Sequence, residues 1–133
     1  DSLTIHLCRA LGIPGPQALV STLYSGAYDR ARIASLARDV LDAANEDAEL
    51  VGLLLRPAGR ELGLAAGVAA RAVGYNGGPL PLALAGSFLL AAAPVRLALL
   101  EELHQQGYQP SVGLVPEPVA GAVHLARQVV PRP

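Results

Sequence analysis

Between Pro79 and Arg127, two short apolar runs alternate with two helix-like segments, and this order constrains the fold more than any other stretch. The first run, residues 82–85, stops at Gly86-Ser87 and is followed by an amphipathic segment from Pro94 to Gln106. The second, residues 112–115, leads through Pro116 and Pro118 into another apolar-striped segment. Strand–helix–strand–helix predicts two parallel strands, near 82–86 and 111–115, joined by a right-handed crossover. In such sheets ligands gather beyond the carboxyl ends of the strands. Gly86-Ser87 lies at one such end, where a glycine lets a ligand come close to the backbone.

Composition then removes whole classes of function. The chain has 133 residues, about one domain by length. It is 52% hydrophobic but only 4% aromatic, so the expected core is Leu, Val and Ala. A formal net charge of −1 gives no electrostatic footprint for nucleic acid, so no nucleic-acid partner is expected. All ten cations are Arg, which excludes a phosphate-binding, Schiff-base or general-base lysine. The single Cys8 cannot close an intramolecular disulfide, which suits a reducing cytoplasm. The chain contains no Met, and the expectation is that it is a piece of something longer. Residues 72–95 carry no charge, a length that could span a membrane. Asn76-Gly77-Gly78-Pro79, Pro81 and Pro94 break any helix there, and no secretory leader pattern precedes, so the expectation is a cytoplasmic chain without membrane contact.

Residues 1–78 read as helical. The pattern predicts a helix over 2–11 ended by Gly12, a second over 17–24 closed near Gly26, and a third over 30–44 with Asp29 as N-cap. Glu46-Asp47 opens a long helical pattern to about Val73, with a kink expected at Pro57. Within it Gly59, Gly63 and Gly67 recur every fourth residue and share one face. Each costs about 1 kcal/mol against Ala in a helix, so three together predict another backbone packed very close. The predicted core is Ile33, Leu36, Val40, Leu54, Leu62, Leu82, Leu84, Leu99, Leu103, Val112, Leu114, Val119, Val123 and Ala126. Two strands fall short of the usual four to six of a sheet, so further strands are expected upstream of Asp1.

Four stretches in order carry a family resemblance: LYSGAYDRARIASLARDVLDAA (23–44), the long helix over 50–72, PLPLALAGSFLLAAAPVRLALLEEL (79–103) and EPVAGAVHLAR (117–127). Together they resemble the C-terminal part of the N-acetylglucosamine kinase-like branch of the BadF/BadG/BcrA/BcrD ATPase family, within the actin–hexokinase–Hsp70 superfamily. The resemblance implies an α/β fold, a helix-dominated partial ribonuclease H-like (actin-like ATPase) domain with two parallel strands in a βαβα C-terminal half. It implies a parent that is an ATP-dependent kinase of N-acetylglucosamine or a related amino sugar, with ATP and Mg²⁺, and it leaves room for a homodimer. Gly86 and Ser87 match the family's adenosine motif. Ala91 falls where relatives can place a nucleotide-contacting hydroxyl, and Ala34 and Ser35 begin a helix lining the adenine slot. Gly121 and Ala122 match small residues of the closing helix. The phosphate loops and catalytic Asp, upstream in the family, have no counterpart here, so the resemblance implies an inactive adenosine-side segment with no catalytic residue of its own.

Other assignments stay open. Gly86-Ser87 also fits an ordinary strand-exit turn, and Ser35 a serine bonding back to its own helix. His6, His104 and His124 are too far apart to predict a metal site. Within the same family, an ATPase activating an acyl-CoA dehydratase would need cluster-binding cysteines, of which only Cys8 is present. A non-catalytic helical interaction module is the third alternative.

Overall fold

A computed structural model describes residues 2–25 and 28–129. The fold is α/β and helix-dominated, with two parallel strands. In chain order the elements are α1 (Ser2–Leu11), α2 (Pro16–Tyr24), α3 (Arg30–Glu46), α4 (Ala48–Leu50), a π-helical stretch (Val51–Leu55), α5 (Arg56–Ala72), β1 (Gly78–Ala85), α6 (Ser87–Ala91), α7 (Ala93–Gln105), β2 (Tyr108–Val115) and α8 (Pro118–Val129). Gly26, expected to close α2, lies outside the described residues. The chain divides into two compact units at Pro57–Ala58.

In the first unit α1 and α3 run antiparallel, tied by polar side chains at both ends. At one end Ser2 Oγ donates to Glu46 Oε2 (2.8 Å). At the other, the Arg32 guanidinium donates to the Ala10 carbonyl and Tyr28 Oη to the Leu11 carbonyl (2.8 Å). Both acceptors are last-turn carbonyls that α1 cannot satisfy itself. Asp29 caps α3 as its position predicts, its carboxylate accepting from the Arg32 backbone N–H (2.7 Å). Pro57 directly follows the π-helical stretch, inside a run that is helical without a break from Ala48 to Ala72. A π turn is one place where a helix can accommodate the N–H that proline lacks.

In the second unit α5 lies against α7 along the glycine face. A Cβ on Gly59 would sit against the Val95 carbonyl and 2.8 Å from Ala98 Cβ. One on Gly63 would sit 2.6 Å from Glu102 Cβ and 2.8 Å from the Leu99 carbonyl, and one on Gly67 would overlap the Gln106 amide. The partners recur on α7 at the same helical spacing as the glycines on α5, so the two backbones meet at Gly59 and Gly63, and the Gln106 side chain fills the gap at Gly67. Below them Ala70, Leu80, Leu84, Leu99, Leu103 and Tyr108 form one buried cluster. Each fully buried large apolar side chain contributes about 1.5–3 kcal/mol.

The strands begin earlier than the sequence predicts, and the added residues include Pro79, Pro81 and Pro110. Gly78 donates its N–H to the Gly107 carbonyl (2.9 Å), and the register pairs Gly78 with Tyr108 through Ala85 with Val115. Even-numbered residues of β1 and odd-numbered residues of β2 therefore direct their backbone groups at each other. All three prolines have the opposite parity, so no ladder donor is lost.

Several expected core residues are corrected. Leu36, Leu84, Leu99 and Leu103 are buried, and Val40 and Leu82 are half-buried. Ile33, Leu54, Leu62, Val112, Leu114, Val119, Val123 and Ala126 are exposed. For α8 the physical reason is plain: its apolar stripe meets no other element closely enough to bury a single residue. On β2, Val112 and Leu114 share the face of Leu80 and Leu84. Helix packing covers that face over β1 and over the start of β2 at Tyr108, leaving Val112 40% and Leu114 55% exposed against 5% for Leu80 and 4% for Leu84.

Candidate functional site

The two parallel strands end side by side, at Ala85 and Val115. Beyond β1 the chain turns at Gly86, whose φ of +101° lies in the left-handed region that side-chain-bearing residues avoid. No atom lies within 4 Å of a Cβ built on Gly86, so the space in front of this turn is open. Ser87 opens α6 and is exposed. The Gly86 carbonyl accepts from the Leu90 N–H (2.9 Å), which anchors the turn to the first loop of helix. Ala91 is exposed at the last position of α6 and presents no polar group.

The other end of α6 is held by Arg96, which lies within the stretch 79–103 without an assigned role there. Its guanidinium donates to the Leu89 carbonyl (2.9 Å) and the Leu90 carbonyl, closing the carboxyl end of α6 from the first turns of α7. A signal was there: Arg96 is the only charged residue between Arg71 and Glu101. A half-buried guanidinium in an apolar stretch keeps its hydrogen bonds, which here go to carbonyls that the short helix leaves free. Arg96 is thereby occupied in holding α6.

Ala34 and Ser35 lie in α3, in the first unit, and both are exposed. Ser35 Oγ donates to the Arg32 carbonyl (2.6 Å), the back-bonded arrangement open to a mid-helix serine. Gly86, Ser87 and Ala91 thus cluster around one turn of the second unit, while Ala34 and Ser35 belong to the first.

Other polar side chains are engaged structurally. Gln106 lies between α5 and α7, its Nε2 donating to Glu102 Oε1 (3.1 Å) and the Gly63 carbonyl (3.3 Å). Its Oε1 accepts from Arg71 Nη1 (3.2 Å). This network gives the nearly buried Glu102 carboxylate a hydrogen-bond partner. His6 Nε2 lies 3.2 Å from Glu46 Oε2. The Ser2 hydrogen bond first, then His6, hold the Glu46 carboxyl below its ordinary value. Ser2 and His6 both address the carboxylate, so this is no nucleophile–base pair. Among the described residues no three His, Cys, Asp or Glu side chains gather to hold a metal ion, and no helix is long and apolar enough to cross a membrane.

The candidate site is therefore one open glycine turn with an exposed serine, at the carboxyl end of a parallel strand pair. No protein-family model, curated protein or solved structure matches the chain.

Proposed function

We propose that this chain supplies the adenosine-side wall of an ATP-dependent sugar kinase of the actin-like, ribonuclease H-like ATPase type, acting on N-acetylglucosamine or a related amino sugar. The observation that carries the reading is the Gly86 turn, a left-handed glycine with open space before it where a parallel strand ends. Such ends are where α/β sheets bind nucleotides. The ordered motifs over 23–44, 50–72, 79–103 and 117–127 support the same reading. Gly86 offers backbone to a nucleoside and Ser87 a hydroxyl, with Arg96 fixing the short helix between them and α7. Residues upstream in a longer parent would bind the triphosphate and Mg²⁺ and deprotonate the sugar hydroxyl, and positioning would supply most of the rate.

The test is an assay of the full-length parent against an amino-sugar panel, and no ATP turnover on any sugar would reject the reading. Ser87→Ala, which removes an exposed hydroxyl at no packing cost, should weaken ATP binding by the parent several-fold. Residues 1–133 alone should transfer no phosphoryl group and bind ATP weakly or undetectably, because adenosine contacts alone do not cover the cost of association. Submicromolar ATP binding by this segment would show the site to be elsewhere. The exposed apolar stripe of α8 favours a second reading, a non-catalytic interaction module. A parent that binds no nucleotide in a titration would decide for it.

A further inference from the structure

We infer that Asn76 is a self-modifying site, where the backbone nitrogen of Gly77 displaces ammonia from the side-chain amide and leaves aspartate or isoaspartate. Asn76-Gly77 lies in the connection between α5 and β1, at the opposite end of that strand from the Gly86 turn. The local backbone carries this. Helix α5 closes on Gly74 at φ +97°, with the Gly74 N–H donating to the Arg71 carbonyl and the Tyr75 N–H to the Ala70 carbonyl (both 3.0 Å). That left-handed closure satisfies last-turn carbonyls and fixes the chain as far as Tyr75. The next fixed point is Gly78, whose N–H donates to the Gly107 carbonyl (2.9 Å). Between the two, neither the Asn76 nor the Gly77 N–H donates to a backbone group among the described residues.

The side chain is as loosely held as the backbone. Asn76 is exposed, and its Nδ2 reaches the Gly74 carbonyl only at 3.5 Å, the outer limit of a hydrogen bond. The amide carbon and the nitrogen that attacks it are therefore both untied. Ring closure needs rotation about Asn76 and an uncrowded nitrogen beyond it. Glycine supplies the second, having no Cβ, and Gly77 already stands at φ +91°. Asn45, the other asparagine of the chain, is exposed too but lies in α3 and precedes Glu46. There the following N–H is held in the helical ladder, and Glu46 puts a Cβ beside it.

The chemistry needs only water. Hydroxide removes the Gly77 amide proton, and the nitrogen attacks Asn76 Cγ. The new C–N bond forms as the bond from Cγ to Nδ2 breaks, and Nδ2 leaves as ammonia with a proton taken from water. Water then opens the cyclic imide at either carbonyl. One cleavage gives aspartate; the other gives isoaspartate, whose main chain runs through the former side chain and is longer by a methylene. Both products place a carboxylate in residues 72–95, which otherwise carry no charge. The longer linkage falls between the Tyr75 carbonyl, which accepts from Tyr108 Oη (3.1 Å), and the Gly78 N–H bonded to Gly107. Isoaspartate should therefore loosen the entry to β1.

Peptide mapping of the full chain, incubated folded in mildly alkaline buffer, tests the site. Cleavage at arginine separates residues 72–96, which contain Asn76, from residues 39–60, which contain Asn45, and neither peptide has a glutamine. The expected result is progressive loss of the Asn76 amide, faster at higher pH, while Asn45 keeps its amide over the same time. The product should divide between aspartate and isoaspartate, the second accepting a methyl group from S-adenosylmethionine when an isoaspartyl methyltransferase is added. In Asn76→Gln, where closure would need a larger ring, methyl acceptance should vanish, and so should the acidic band that the incubated chain gives on isoelectric focusing. An Asn76 amide that lasts as long as that of Asn45 overturns the inference. Methyl acceptance that survives Asn76→Gln overturns it too, because the isoaspartate would then lie elsewhere. The modified chain should melt at a lower temperature than the fresh one, and an unchanged melting temperature overturns the loosening at β1.

Discussion

Helices α5 and α8 are both rich in small and apolar residues at helical spacing, yet they end in opposite environments. Gly59, Gly63, Gly67 and Ala70 of α5 are buried, the glycines against the backbone and side chains of α7. On α8 every described residue is exposed, and Gly121 has no atom within 4 Å of where a Cβ would stand. A helical stripe therefore announces which face would be buried, not that something is there to bury it. The glycines make the distinction sharper than the apolar residues do. Glycine inside a helix costs about 1 kcal/mol wherever it stands, and only on α5 does close packing offset that cost.

The largest expected effect contrasts the two helices' surroundings directly. Leu103→Ala, at a side chain with no exposed surface, should destabilise the fold by about 2–5 kcal/mol. Val123→Ala on α8 should stay within about 0.5 kcal/mol. Urea denaturation of the two variants would measure the gap, and equal losses would mean that α8 is buried after all. Next comes Gly63→Ala, whose methyl must displace Glu102 Cβ and the Leu99 carbonyl. Overpacking of this kind costs about 1–3 kcal/mol, and a neutral result would separate α5 from α7. Gly67→Ala meets only a flexible amide and should cost less. The sign reverses at Gly121→Ala, where open space lets the propensity gain of about 1 kcal/mol appear as a higher melting temperature.

The smallest effect belongs to the polar tie in the first unit. The Glu46 carboxyl is held below its ordinary value of 4.5 by Ser2 and then His6. A lowered carboxylate contributes stability that is complete above its unfolded value and is lost as pH falls through the folded one. Glu46→Gln should therefore lower stability at neutral pH by a small amount, since exposed pairs contribute little, and leave it unchanged below the folded value, so that the acid limb flattens. An acid limb identical to that of the unsubstituted chain would show that the Ser2–Glu46–His6 tie contributes nothing to acid stability.

Much of the local structure was legible in the residues. Asp29 stands one residue before a helical stripe and caps it, because a short carboxylate reaches the free N–H groups of a first turn. The three glycines at fourfold spacing foretold a close backbone, and the parallel strands followed from their order. The strand limits were not legible. A proline is compatible with a strand only if its nitrogen faces away from the ladder, and that parity is set by the partner strand. For the candidate site, the break after Ala85 was readable as Gly86-Ser87. The bracing by Arg96 was not, since it joins two helices across a turn.

By itself the sequence determined the helices, the order of the two strands and the glycine at the strand exit. These depend on neighbours within a few residues, through capping, periodicity and the absence of a side chain. Only the tertiary structure decided which apolar stripes became core. Burial needs a second surface, and α7 supplies one to α5 and to β1 while leaving Val112, Leu114 and all of α8 exposed. It also decided that Pro79, Pro81 and Pro110 could lie in strands, because hydrogen-bond direction belongs to the pair of strands and not to either alone.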